Sequence, residues 1–260
     1  MDYMKKIIAL AIICAAVLTL FAGCQKNEAA QIGSAADLVG KRIGVQEGTT
    51  GESYVQDNVE GAKLSSYKSG MDAALALKNG QLDAVVLDEL PAQEIVKQND
   101  DLKILDESLT TESYAIAVRK GDTELLNSIN ATLKRIKEDG TFENFTNAFM
   151  PASGEINVLQ PRETSGDTIK MGTNAAFKPF EYLEGSDIVG FDICLSAEIA
   201  ADAGKKLEVV NMDFNALITA LAAGTVDFVA AGMTADAERM QSVDFSDPYY
   251  DATQVIIVKK

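Results

Sequence analysis

Two hydrophobic rhythms take turns along the chain. Short apolar, β-branched runs predict strands, and stretches with an apolar residue every third or fourth position predict helices. Strands are predicted at 41–46 (KRIGVQ), 62–67 (AKLSSY), 82–88 (LDAVVLD), 102–107 (LKILDE) and 113–120 (SYAIAVRK). Between them, 47–58 predicts a loop and helix, 70–80 a helix closed by Gly80, and 91–99 a helix with Pro91 near its start. The clearest amphipathic helix is 123–140, with Leu125, Ile129, Leu133 and Ile136 along one face, and 141–150 predicts a further short helix.

Residues 151–167 (PASGEINVLQPRETSGD) break the rhythm with Pro, Gly, Ser and charge, the composition of a linker. The alternation then resumes. Strands are predicted at 168–173, 206–212 and 226–232, helices at 191–204 and 214–224, and a turn or short helix at 235–242. A last strand runs from Thr253 to the lysines at 259 and 260. The fold class is α/β.

Two stretches echo each other: AALALKNGQLDAVVLD (73–88) and LITALAAGTVDFVAAG (217–232). Each reads as an apolar helix, a glycine (Gly80, Gly224), one spacer and a strand opening on an aspartate. Two similar α/β lobes are therefore expected. In register, Asp88 matches Gly232, both at the carboxyl ends of strands, where open α/β sheets bind ligands. Asp83 and Asp227 open their strands in both lobes and read as structural. A second echo, YAIAVRKGD (114–122) with QVIIVKK (254–260), predicts a paired two-stranded hinge. On that expectation one covalent crossover between the lobes remains, near Tyr114 to Lys120.

The first 23 residues change the picture of where the protein resides. Lys5 and Lys6 precede an apolar run from Ile7 to Ala22, too short to span a bilayer and followed by small residues and Cys24. This is a secretory signal that resembles a bacterial lipoprotein signal, with lipid on Cys24 and residues 24–33 as a tether.

Composition narrows the chemistry. The net charge of −16 argues against a nucleic-acid partner. The chain has no histidine, which removes Ser-His-Asp and Cys-His catalysis and imidazole metal sites. Its three cysteines, at 14, 24 and 194, have neither metal-site nor disulfide-framework spacing. Cys194 reads as a small buried hydrophobe.

Long motifs carry a resemblance. IKMGTNAAFKPFEYLEGSDIVGFDICLSAEIA, MDFNALITALAAGTVDFVAAGMTADAERMQSVDFSDPYYDATQVIIVKK, and DLVGKRIGVQEGTTGE with LDAVVLDE and YAIAVRKGDTELLNSINATLKRIKEDGTFENF closely resemble the polar-amino-acid solute-binding proteins of ABC importers. These have the two-lobed type 2 periplasmic binding protein fold. The half that comes second here comes first in that family, so the chain resembles a circularly permuted member. The resemblance implies residues 34–112 as the family's second lobe, 113–150 as a hinge strand and the family's C-terminal helices, 151–167 as the new linker, and 168–260 as the first lobe ending in a hinge strand.

An amino acid carries an ammonium and a carboxylate, so its site needs a cationic or N–H-rich clamp and an anionic acceptor. Arg239 suits the carboxylate with its fixed guanidinium fork; as an isolated residue it would read as an ordinary surface arginine. Thr234 and the backbone at Gly232 add donors. Asp88 matches the family's ammonium acceptor, the alternative being an Asx turn before the following helix. Thr49 and Thr50, between glycines at a helix start, suit an anion or simple N-capping. Phe177 matches the aromatic that covers the ligand, with a core phenylalanine as the alternative. Gln46 is placed on the pocket wall. Asn174 stands where binders of basic amino acids often have Asp, which leans toward a neutral polar ligand. FSDPYY (245–250) reads as a structural wall near the hinge.

The implied function is capture of a free amino acid by closure of two lobes and its delivery to an ABC permease and ATPase complex. The implied protein is a monomer outside the cytoplasmic membrane, held by lipid alone, without cofactor, metal or catalytic activity. The rivals are an enzyme of the same fold acting on cyclohexadienyl carboxylates, and a non-transporting sensor or degenerate permuted remnant.

Overall fold

The computed structural model describes residues 32–260, which turn the predicted alternation into two five-stranded sheets. The expected leader, Cys24 and the tether up to residue 31 lie outside the described residues. The chain first lays down β1 (Arg42–Gln46), α1 (Thr50–Asn58), β2 (Lys63–Tyr67), α2 (Gly70–Lys78), β3 (Ala84–Asp88), α3 (Glu89–Lys97) and β4 (Leu102–Ile104). The helical crossovers make β1 parallel to both β2 and β3. Next come β5 (Glu112–Tyr114), β6 (Ala117–Arg119), α4 (Thr123–Glu138) and α5 (Thr141–Phe149).

After the predicted linker, β7 (Thr168–Thr173) leads into β8 (Ala176–Phe177), β9 (Glu181–Glu184) and β10 (Asp187–Val189), a small antiparallel sheet. Then follow α6 (Phe191–Asp202), β11 (Lys206–Asn211), α7 (Leu217–Ala222), β12 (Phe228–Val229), β13 (Val243–Phe245), β14 (Tyr250–Ala252) and β15 (Gln254–Lys259). The sheet order is β2-β1-β3-β15-β4 in the amino lobe and β11-β7-β12-β6-β13 in the carboxyl lobe.

The internal echo is structural. Gly80 and Gly224, at φ +74° and +72°, take the left-handed conformation that ends each helix. Asp83 accepts the Arg42 N–H at 2.9 Å, and Asp227 accepts the Lys170 N–H at 2.8 Å, each pinning its strand to the neighbouring one. The aspartates read as structural have matching roles in the two lobes.

The hinge differs from the sequence expectation. QVIIVKK does not pair with YAIAVRK. β15 lies between β3 and β4, antiparallel to both, and β6 lies between β12 and β13. The reason is burial on both faces. Gln254 to Val258 are all buried, as are Ala117 and Val118, so these strands require sheet interiors rather than an exposed ribbon. Tyr114 to Lys120 is also broken into two strands with different partners. The hinge pair is instead β5 with β14, in the register Tyr114↔Tyr250 and Glu112↔Ala252. The chain therefore crosses between the lobes twice, through β5 and through β14, and not once.

Helix α6 shows how the carboxyl lobe closes its core. Phe191 to Ala200 are buried on every side, beneath α4 and α5. Cys194 lies here, 1% exposed, with its thiol pushed up to about 12 chiefly by burial. No helix among the described residues is long and apolar enough to cross a membrane.

Candidate functional site

The two lobes meet over a small cavity of about 10 Å³, lined by Gln46, Thr49, Thr50, Asp88, Phe177, Phe214, Gly232, Thr234 and Arg239. That space is about one water molecule, so the cleft is closed. Eight of the nine residues expected from the sequence line it. Asn174 stands just behind, accepting from Gln46 Nε2 at 3.0 Å and donating to the Met212 carbonyl at 2.8 Å.

Each lobe contributes from strand ends and helix starts. Asp88 ends β3, and its carboxylate accepts from the Tyr114 hydroxyl rather than capping α3, so the Asx-turn alternative fails. Thr49 does cap α1: it accepts the Glu52 N–H and donates to the Gln46 carbonyl at 2.8 Å. Its hydroxyl is thereby committed to structure. Thr50, one residue on, is free of that duty and donates to Glu112 at 2.7 Å.

From the carboxyl lobe, Arg239 reaches across the cleft. Its Nη1 donates to the Thr234 carbonyl at 2.8 Å and its Nη2 to the Gly48 carbonyl at 2.9 Å. Nε lies 3.3 Å from Asp236, and the guanidinium sits 5.5 Å over the Phe214 ring. Burial holds its pKa below the usual arginine value, against the pull of Asp236 and Glu112. Gly232 adopts φ +52°, and a Cβ there would sit 2.5 Å from Phe177 Cε1. Only glycine lets the turn approach that ring. Its N–H is taken by Asp192 at 3.0 Å, and Tyr249 donates to the same carboxylate at 2.8 Å. Phe177 stacks on the fully buried Phe180, with centroids 5.9 Å apart, so it serves core and cavity together.

The electrostatics are unusual for so small a space. Asp88 is pushed up to about 7, first by burial and then by the negative charge of Glu112. Asp192 is pushed up to about 6 by burial. Glu181, buried beside it, is held well above the usual carboxyl range by burial and by Asp192. Among the described residues no cluster of His, Cys, Asp or Glu has the geometry of a metal site. Further salt bridges join the lobes outside the cavity: Lys68 to Asp213 at 3.0 Å and Lys178 to Glu94 at 3.1 Å.

The Gly232 turn, Arg239 and the hinge strand β14 all fall within one continuous stretch of the carboxyl lobe, and that stretch has relatives. Residues 169–260 match the bacterial extracellular solute-binding proteins, family 3. The chain is similar to the arginine-binding extracellular protein ArtP of Bacillus subtilis (strain 168), 52% identical over 98 residues, covering 38% of each chain. The ABC transporter arginine-binding protein 1 of Escherichia coli (strain K12) is 39% identical over 121 residues, covering 45% of this chain and 50% of that protein. The L-cystine-binding protein TcyJ of the same strain is 32% identical over 120 residues, covering 46% of this chain and 45% of that protein. Among solved structures, the arginine-bound domain 1 of TmArgBP is 39% identical, covering 36% of this chain and 80% of that one, with a TM-score of 0.32. The chain spans half or less of the length of these curated relatives.

Sequence reasoning missed Phe214, Glu112 and Asp192. Phe214 follows an aspartate and opens an apolar stretch that reads as one core helix; it lies in a separate 3-10 turn over Phe214–Ala216. Its place beside Arg239 had no local signal. Asp192 sits on an otherwise apolar helix face, an anomaly that could have marked it.

Proposed function

We propose that this protein is an extracytoplasmic solute-binding protein that captures a free amino acid between its lobes and delivers it to an ABC importer. The observation that carries this reading is that Arg239 and Asp88 face one cavity from opposite lobes. Arg239 receives the ligand carboxylate, and Asp88 accepts its ammonium. Phe177 and Phe214 supply apolar walls, Gly232 lets the turn approach Phe177, and Gln46, Thr49, Thr50 and Thr234 complete the rim, with Asn174 behind Gln46. The named relatives, which bind arginine and cystine, support an amino acid as the ligand class.

The closed cavity is too small for such a ligand, so capture requires the lobes to part and reclose. The β5–β14 ribbon is the hinge of this motion, and the ligand favours closure by binding that state better. The family match covers residues 169–260, the second range of the chain, and a permuted order in which that range is the family's first lobe is part of this reading. In this reading residues 34–112 and 168–260 make up the two lobes; β15 of the second range joins the sheet of the first, and β6, from the 113–150 segment, joins the sheet of the second. Cys24 carries the lipid that holds the protein at the outer face of the membrane.

Isothermal calorimetry against the common amino acids tests the reading. Binding of one of them is expected, with Arg239→Ala weakening it by about tenfold to a hundredfold, the worth of a charge-assisted pair. Absence of binding by folded protein overturns it. A carboxyl near neutral pKa in a cleft also suits a general acid. Steady-state turnover of cyclohexadienyl carboxylates would favour that rival.

A further inference from the structure

We infer that Glu112, on the hinge strand β5, sets the polarity of the ammonium end of the cleft: it takes the hydroxyl protons of Thr50 and Thr234 and leaves their oxygens as acceptors beside Asp88. This rests on the amino-acid-binding reading above and adds a positioning residue to it.

A carboxylate only accepts hydrogen bonds, and a threonine hydroxyl has one proton to give. Thr50 Oγ1 and Thr234 Oγ1 both lie 2.7 Å from the same atom, Glu112 Oε2, and Thr110 Oγ1 lies 2.7 Å from Oε1. All three hydroxyls are therefore donors to Glu112. Their protons are spent, and what remains on both oxygens is lone pairs; Thr50 Oγ1 gives one of its two to Gln254 Nε2 at 3.2 Å and keeps the other. Glu112 itself does not line the cavity; it stands behind the two threonines that do. Asp88 and Gln46 line the same cavity, and Gln46 Oε1 is a buried acceptor without a partner. An ammonium has three N–H donors to place. The Gly232 N–H is spent on Asp192, and the Thr234 hydroxyl on Glu112, so neither is left for a ligand carboxylate.

The same carboxylate ties the lobes. Thr50 opens α1 in the amino lobe, and Thr234 follows β12 in the carboxyl lobe. Both bonds to Oε2 coexist only when the cleft is shut, so the acceptor set is assembled by closure itself.

Glu112→Gln keeps the shape and removes the charge. Binding of L-arginine, L-glutamine, L-histidine and L-cystine is titrated from pH 5 to pH 9 in wild type and variant. The groups acting on Asp88 are Glu112, Tyr114, Gln254, Glu181 and Arg239. Of these only Glu112 changes. The variant is expected to bind about tenfold or more weakly at high pH, the loss for a charged hydrogen bond. The acidic limb of its profile moves to lower pH, because Asp88 has lost a like-charged neighbour. A purely structural role predicts weaker binding with the limb in place, and that result, or unchanged affinity, overturns the inference alone. Wild type that binds none of the four overturns the reading above and this inference with it. If Glu112→Gln does not fold, Thr234→Val carries the test. It should weaken the amino acid that binds but not its desamino analogue, and equal weakening of both overturns the inference.

Discussion

Asp88, the proposed ammonium acceptor, carries a cost to stability. In an unfolded chain its carboxyl titrates near 3.8, and in the fold near 7. Between those values the folded protein keeps a proton that the unfolded chain releases. The stabilisation from this group is thus present in full below about pH 4 and is lost as pH rises toward 7. Asp192 and Glu181, raised in the same direction, add to the trend. Asp88→Asn should raise the melting temperature of the ligand-free protein at pH 8, give no gain at pH 4, and weaken ligand binding tenfold or more. Thermal melts at the two pH values with a titration check all three. Other residues show the limit of local reading. Arg239 and Asp88 stand out through the family resemblance; taken alone, Arg239 reads as a surface arginine and Asp88 has an Asx turn as its alternative. Glu112 does not stand out, because its two cavity-lining partners lie 62 and 122 positions away. Nothing near ESY announces them, and only the folded hinge brings them together.

Among the elements, the long periodic ones were legible and the short ones were not. The helix at 123–138 follows its apolar spacing, that at 191–202 follows its apolar run, and β3 follows its run of valines. The strand of 226–232 shrinks to Phe228–Val229, and the helix of 214–224 splits into a 3-10 turn and α7, because tertiary contacts set such boundaries. β8 to β10 escaped notice because two to four residues carry too little pattern to count. β15 is the instructive error. VIIV is a continuous apolar run, not an alternating one, and such a run asks for burial on both faces. Ile257 has no exposed surface and sits where β3 and β4 both reach it. Ile257→Ala should cost about 2–5 kcal/mol, as for other large core truncations. Urea unfolding monitored by circular dichroism would measure it.

At the scale of the molecule, the two-lobed plan was visible in the repeated helix–glycine–strand unit, and the Asp83 and Asp227 clamps give that echo a mechanical meaning. The hinge was not visible, because which strand joins which sheet is decided by three-dimensional burial. Each sheet takes one strand from the opposite half of the chain: β15 enters the amino-lobe sheet, and β6 enters the carboxyl-lobe sheet. The halves before and after the exposed stretch 152–155 are therefore interlocked like two clasped hands. A protease site placed there should cut the backbone without separating the pieces. The nicked protein is expected to elute from a sizing column as one particle and to come apart only in denaturant, and the two fragments, expressed separately, should reconstitute each other.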